Sequence, residues 1–293
     1  MGNQPTTKIS PGRVIGIEPK CGFDVTLSKL EKTLNQQCEQ EPDSVDFANT
    51  LDKIGEIYWR KGKLDEALAC FKSSLHVKKR KVPFSLTYAI TLANIGCVFK
   101  ERGEYEQALY FLESSLLIKK KNVSEDSMDI ARSYSNLAIV FNHLGRRTEA
   151  KELYKQSLLI KQRLEPNSAS TAISYVNVAA VCQPKEAMRN LSKAYSIAVK
   201  CQPANDSLMV YILTNMASVQ FKLGEVDKSL TTIRKALLLE KRFVGCESLT
   251  AAGIYDIMAR ILEKNGHIEA ASDARSKATN IRYTMRTTAI CKH

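Results

Sequence analysis

The chain has 293 residues, 44% of them hydrophobic and 25% charged, with a formal net charge of +12 at pH 7. That apolar fraction is too high for a disordered chain, and no run of about 18–20 consecutive apolar residues is present to span a membrane. Eight scattered cysteines (Cys21, Cys38, Cys70, Cys97, Cys182, Cys201, Cys246, Cys291) without a CxxC pair, and four dispersed histidines, argue against a disulfide framework and a zinc site; reduced, structural thiols in a cytoplasmic protein are expected.

Residues 1–20 are rich in Pro, Gly, Thr and isolated charges and read as a flexible tail. Its start, Met-Gly-Asn-Gln-Pro-Thr, fits the N-myristoylation pattern, with Gly2 as the acceptor and Lys8 and Arg13 nearby; a chance match to a short pattern is the other reading. A single acyl chain would hold a membrane weakly and reversibly. There is no secretory apolar segment near the N-terminus.

Residues 21–43 read as a capping helix. Val25, Leu27, Leu30, Leu34 and Cys38 are assigned to one side of it, and Asp24 or Thr26 to its N-cap. Glu41-Pro42-Asp43-Ser44 breaks it.

From Ser44 onwards the chain repeats itself. In the stretch Ala89–Ser115, Leu92, Ile95, Gly96 and Phe99 share one helical face, Ala108, Leu112 and Ser115 share another, and Arg102-Gly103 joins them. Turn glycines recur at Gly62, Gly103, Gly145, Gly224 and Gly266, at separations of 41, 42, 79 and 42 residues. Five positions after each turn stands a small residue, namely Ala67, Ala108, Ala150, Ser229 and Ala271. A unit without its turn glycine fills the long gap, carrying Val178-Ala179, a shortened Gln183-Pro184-Lys185-Glu186 link and Ala187. Helix pairs are expected at 46–61/64–80, 86–102/105–121, 128–144/147–163, 169–182/185–200, 207–223/226–242 and 249–265/268–284. The repeats run 44–84, 85–126, 127–167, 168–206, 207–247 and 248–285, with 286–293 as a frayed tail. One pair cannot bury its own apolar face, so six must stack.

A Leu/Tyr, a Leu-Gly or Leu-Ala pair, an aromatic, the turn Gly and a small-x3-aromatic/aliphatic-x2-small run resemble the tetratricopeptide repeat, TPR. The usual unit is about 34 residues, and the longer unit here resembles that of kinesin light chain and its relatives. Gln220 in an aromatic position, Arg275 in an apolar one and the short fourth turn depart from the pattern. The resemblance implies an all-α, right-handed TPR solenoid of six helix pairs with an N-terminal capping helix, whose first helices line a concave groove.

No phosphate-binding GxxxxGK[ST] loop, GxSxG elbow, HExxH pair or dinucleotide glycine fingerprint occurs, so neither an enzyme nor a bound cofactor is expected. The column before each apolar-small pair holds Asn94, Asn136, Asn177 and Asn215. Asn is a poor interior helix residue, and its amide offers both a donor and an acceptor to an extended main chain. By the resemblance, these amides would form a ladder in the groove, with Lys53, Arg60, Lys100, Arg132, Lys222 and Arg260 on or near the same surface, and Trp59 and Phe221 as stacking groups. Such a groove favours an acidic partner segment with an apolar anchor, as a cargo adaptor would hold. Contact with neighbouring repeat backbone alone is the other account of the asparagines. The chaperone-tail clamp of other TPR proteins is not carried over, because Lys53 and Asn136 replace two of its residues.

A second feature is basic. Lys78-Lys79-Arg80-Lys81, Lys119-Lys120-Lys121, Lys161 with Arg163, Lys200, and Lys241-Arg242 recur at the ends of second helices and would form a stripe along one edge. Complementing helix dipoles is the plain account. The alternative is binding to nucleic acid, an anionic membrane or an acidic tubulin tail through this stripe, with nucleic acid disfavoured because no aromatic residues are interleaved. A regulatory reading has the groove hold the chain's own tail.

Overall fold

The structure, a computed structural model, describes residues 20–201, 205–243 and 248–290; Gly2 and the rest of the N-terminal segment lie outside them. The described residues form thirteen α-helices and no strand. They fall into two compact units that meet in sequence at Leu164 and Glu165.

The first unit holds α1 (Lys20–Gln40), α2 (Val45–Arg60), α3 (Leu64–Lys81), α4 (Leu86–Arg102), α5 (Tyr105–Asn122), α6 (Met128–His143) and α7 (Arg147–Leu164). Hairpins α2–α3, α4–α5 and α6–α7 pack in series through α3 on α4 and α5 on α6, and α1 lies against α2. The second unit holds α8 (Ala169–Val181), α9 (Pro184–Lys200), α10 (Asp206–Lys222), α11 (Val226–Phe243), α12 (Leu249–Lys264) and α13 (Ile268–Ile290). There the hairpins α8–α9, α10–α11 and α12–α13 join through α9 on α10 and α11 on α12. Successive first helices also touch, α2 with α4 and α4 with α6 in one unit, α8 with α10 and α10 with α12 in the other, whereas successive second helices do not. Within each unit the first helices therefore form the inner row, and the second helices splay apart.

The boundaries follow local chemistry. Each first helix starts on a side chain that accepts from the third helical N–H: Ser44 from Phe47, Ser85 from Tyr88, Ser127 from Ile130, Ser168 from Thr171, Asn205 from Leu208 and Ser248 from Ala251. Such caps satisfy donors that have no partner inside the helix. The turns close alike. Gly103 adopts φ 81°, where any other L-residue is strained, and Glu104 N then donates to Phe99 O at 3.0 Å. The same six-residue closure recurs after Gly62, Gly145, Gly224 and Gly266. Upstream, Gly96 lets α5 approach: a Cβ there would lie 2.8 Å from Leu112 Cγ and 3.2 Å from the Ala108 carbonyl oxygen.

Three local expectations need correction. α1 begins at Lys20, so Asp24 and Thr26 are inside the helix rather than capping it, and Asp24 pairs with Lys61 of the first hairpin's turn. Its half-buried side chains are Phe23, Leu27, Leu30, Leu34 and Gln37, while Val25 and Cys38 are exposed. The helical period explains this, since steps of three and four from Leu27 reach Phe23 and Leu34 and miss Val25. At the other end, α13 continues to Ile290, past the end expected near residue 285. No Gly or Pro lies between Thr284 and Ile290 to stop it.

The fourth hairpin departs for a visible reason. Pro184 occupies the start of α9, where its missing N–H costs nothing, and it holds Gln183 extended at φ −66°, ψ 152°. An extended two-residue link, Cys182 and Gln183, thus replaces the left-handed glycine turn.

Candidate functional site

The first-helix face of the first unit brings together most of the expected polar residues. Lys53 and Arg60 are exposed on α2, Asn94 and Lys100 lie half-buried on α4, and Asn136 is half-buried on α6 with Arg132 exposed one turn before it. Lys100 Nζ donates to Asn136 Oδ1 at 3.2 Å, linking the second repeat to the third. Using the carbonyl oxygen this way leaves the Nδ2 protons of Asn136 and the remaining ammonium protons for another acceptor. Asn94 stands beside Glu56 of α2. Burial raises the Glu56 carboxyl above its ordinary value, against the pull of Arg60, the Asn94 amide and Lys53. Asn94 Nδ2 itself is buried and makes no hydrogen bond of normal geometry. Arg132 is drawn toward Asp129, 3.5 Å away.

In the second unit the amides are spent differently. Asn215 Nδ2 donates to the Tyr211 main-chain oxygen of its own helix at 2.8 Å, and Asn177 is 7% exposed on α8. Burial pushes the Tyr211 hydroxyl up to about 12. Lys222 and Arg260 are exposed, and Phe221 is half-buried with Lys264 5.2 Å over its ring. The asparagine column therefore lacks one uniform geometry: Asn136 keeps a free amide, Asn94 and Asn177 are covered, and Asn215 serves its own helix.

The basic edge requires correction. Lys78 is 1% exposed, Lys119 and Lys161 are also buried, and Lys79, Arg80, Lys81, Lys120, Lys121 and Arg163 are the members of the expected stripe in these repeats that face solvent. The helical period is the cause. Ala67, Phe71, Ser74 and Lys78 step along the face of α3 that packs inward, and Ala108, Leu112, Ser115 and Lys119 do the same in α5. Lys78 Nζ reaches Asp52 Oδ2 at 2.6 Å and Thr91 Oγ1 at 3.1 Å; Lys119 Nζ reaches Ser133 Oγ at 3.2 Å. The same column continues as Ala198, then Glu240, which accepts from Ser248 Oγ, and Arg282, which pairs with Asp256. Reading each lysine run against the helical period would have separated the buried member from the exposed ones.

Of the exposed cations, Arg80 and Lys81 share Asp43, and Lys120 lies 5.6 Å over the Tyr134 ring. Among the described residues no cluster of three metal-ligating side chains occurs and no helix is long and apolar enough to cross a membrane. Cys38, Cys70, Cys97, Cys182 and Cys201 form no disulfide.

The tetratricopeptide-repeat family model matches residues 46–121 and 129–198, the spans of the first four hairpins. The chain is a tetratricopeptide-repeat protein. No curated protein sequence matches it. Among solved structures, this TPR protein is similar to BtubC (BKLC) from P. vanneervenii, at 15% identity and TM-score 0.55 over 90% of this chain and 92% of that one. It is also similar to the nearly identical TPR-like repeats of a candidate kinesin light chain from Podosopora anserina, at 17% identity and TM-score 0.56 over 69% and 98%. The apo form of RapI is a third, at 15% identity and TM-score 0.68 over 92% and 72%. At these identities the likeness concerns fold: an all-α TPR solenoid whose long unit is of the kinesin-light-chain type.

Proposed function

We infer that the TPR fold serves this chain as a protein-protein interaction scaffold. We propose that this chain is a non-catalytic, cytoplasmic adaptor whose first-helix face holds an extended acidic segment of a partner protein, as a kinesin-light-chain-like cargo adaptor would. Lys53, Arg60, Asn94, Lys100, Arg132 and Asn136 form the site in the first unit, and Asn177, Asn215 and Lys222 are the corresponding groups in the second. The observation that carries this reading is the Lys100–Asn136 hydrogen bond, which holds an ammonium and a free amide donor on the inner row of helices. An ammonium fixed by a neutral acceptor keeps its charge for a carboxylate, and the amide matches a peptide carbonyl. The net charge of +12 adds long-range attraction for an acidic chain. Each net hydrogen bond contributes about 1 kcal/mol, so apolar anchors must supply the remaining affinity.

The alternative, nucleic acid or anionic membrane along the basic edge, loses strength with the burial of Lys78, Lys119 and Lys161, which removes one cation per repeat from the stripe. Acylation at Gly2 would add weak membrane affinity.

A fluorescein-labelled peptide of sequence Glu-Glu-Trp-Asp-Glu tests the proposal by anisotropy. Asn136→Ala and Lys100→Ala should each weaken binding about three- to tenfold, a net hydrogen bond's worth. Equal binding by wild type and both variants would sink the assignment. A steep log-linear loss of RNA binding with salt, alongside no peptide binding, would favour the basic edge.

A further inference from the structure

The links between repeats carry a charge pattern that one of them breaks. Asp43 precedes the first hairpin and pairs with Arg80 at the end of that hairpin's second helix; Asp126 pairs with Arg163 in the third, at 2.8 and 2.9 Å. The corresponding positions of the second repeat are Phe84 and Lys121. Lys121 thus has no carboxylate, and it makes no ion pair. Phe84 is 72% exposed and adopts φ 59°, the left-handed region that a bulky side chain rarely enters. Asn122 Nδ2 holds it there by donating to its carbonyl oxygen at 3.0 Å. An exposed aromatic in a disfavoured backbone conformation suggests a functional use.

Phe84 forms one wall of a cavity of about 710 Å³ between α3, α4 and α5. Tyr88, Leu92, Tyr110, Phe111 and Leu117 line it, and Lys79 and Lys121 stand at its border. The splaying of second helices opens this wedge. It recurs in the second unit at the corresponding columns of the fifth repeat, where Tyr195, Met209, Leu213 and Leu238 line about 620 Å³ beside Lys235 and Arg242. Lys79, Lys235 and Arg242 likewise make no ion pair. In the third repeat the columns of Tyr110 and Ser114 are instead Glu152 and Gln156, which bond to each other at 3.3 Å.

We infer that the recess between α3, α4 and α5 is a second peptide-docking site that receives a bulky apolar side chain of an acidic partner segment, with Lys79 and Lys121 pairing to the flanking carboxylates. The apolar walls suit the anchor, and the unpartnered cations suit its flanks. A membrane surface fits less well. It would cover the rim at Phe84 and Leu117 and leave the recessed Tyr88 and Leu92 unfilled. The inference does not depend on the first-helix site, which lies on the opposite row of helices.

The test uses the full chain and the peptide Asp-Glu-benzoylphenylalanine-Glu-Asp, measured by anisotropy and, after photolysis, by mass spectrometry of the adducts. Adducts on the segment around Phe84 or on α5, retained in Asn136→Ala, are expected. Phe84→Asp restores the neighbouring repeats' pattern, gives Lys121 a partner and should weaken binding at least about tenfold, as loss of an anchor does. Lys121→Glu, an exposed substitution, should act similarly and decides the matter if Phe84→Asp alters the circular dichroism. Unchanged affinity in the informative variants, or adducts confined to α4 and α6 faces around Asn94 and Asn136, would overturn the inference. So would phosphatidylserine vesicles that bind through Phe84 while the peptide does not bind.

Discussion

Lys78 Nζ lies 2.6 Å from Asp52 Oδ2 with both side chains buried, and Thr91 Oγ1 of the next repeat donates to the same carboxylate oxygen at 2.7 Å. The ammonium at the end of one hairpin therefore binds its own first helix and the following one together. Removing one member leaves the other charge buried and unpaired. Lys78→Met and Asp52→Leu should each destabilise the fold by about 3 kcal/mol, while the double variant recovers most of that loss. Urea denaturation of the four proteins of this cycle provides the check; additive losses would mean that the pair does not act as a unit.

Lys119 occupies the corresponding position without a bonded carboxylate. Its ammonium donates to Ser133 Oγ, and burial holds it below its ordinary value, with Asp129 opposing that shift. A lowered lysine pKa means that the folded state binds its proton less tightly than the unfolded state. The cost is present at neutral pH and is relieved as pH rises from the folded value toward 10.5. Lys119→Met should therefore raise the urea midpoint at pH 7, and its advantage over wild type should shrink in alkaline buffer. Ser133 Oγ keeps its bond to the Asp129 main-chain oxygen, so no polar group is stranded.

Glu56 shifts the other way. Burial raises its carboxyl above the unfolded value of 4.5, so the folded state holds the proton more tightly. Stability falls as pH rises from 4.5 through the raised value, and the cost persists above it. Glu56→Gln should be more stable than wild type at pH 7 and should approach it near pH 4.5. Denaturation midpoints at the two pH values measure this, and a constant gap would show that Glu56 does not titrate in that window.

Two helical glycines predict opposite outcomes for the same substitution. Gly96→Ala places its Cβ 2.8 Å from Leu112 Cγ and should cost about 1–3 kcal/mol as α4 and α5 separate. Gly253→Ala on α12 meets nothing within 4 Å and should add about 0.5–1 kcal/mol by raising helix propensity. Thermal melting of the two variants against wild type distinguishes close packing from open space.

The hairpins were legible because their signals are local. A serine or asparagine before each first helix, a glycine at every turn but the fourth and a small residue five positions after it depend only on neighbours in sequence. Side-chain destination was less legible. Four consecutive cations at Lys78–Lys81 look like one patch in composition, yet the helix sends the first inward and the next three outward. The asparagine column shared one sequence position but not one environment. Lys100 from the preceding repeat holds Asn136, while Asn215 turns to its own Tyr211 carbonyl. For Asn136 the deciding partner lies in another repeat, whereas for Asn215 it lies one turn away in its own helix. The recess at Phe84 was hidden for a related reason: its signal is a missing aspartate, visible only once Asp43–Arg80 and Asp126–Arg163 are known to pair.

The column that runs through the buried Lys78, Lys119, Lys161, Ala198 and Glu240 to the half-exposed Arg282 sets the hairpins apart from one another. Asp52 and Asp256 travel with Lys78 and Arg282, because each pair lies inside one hairpin; a shuffled array would instead lose the bonds across the joints, where Thr91, Ser133 and Ser248 of the following hairpins meet Lys78, Lys119 and Glu240. Each of these three joints thus depends on a hydroxyl that the following hairpin supplies to the charge before it, so these hairpins are not identical beads on a string.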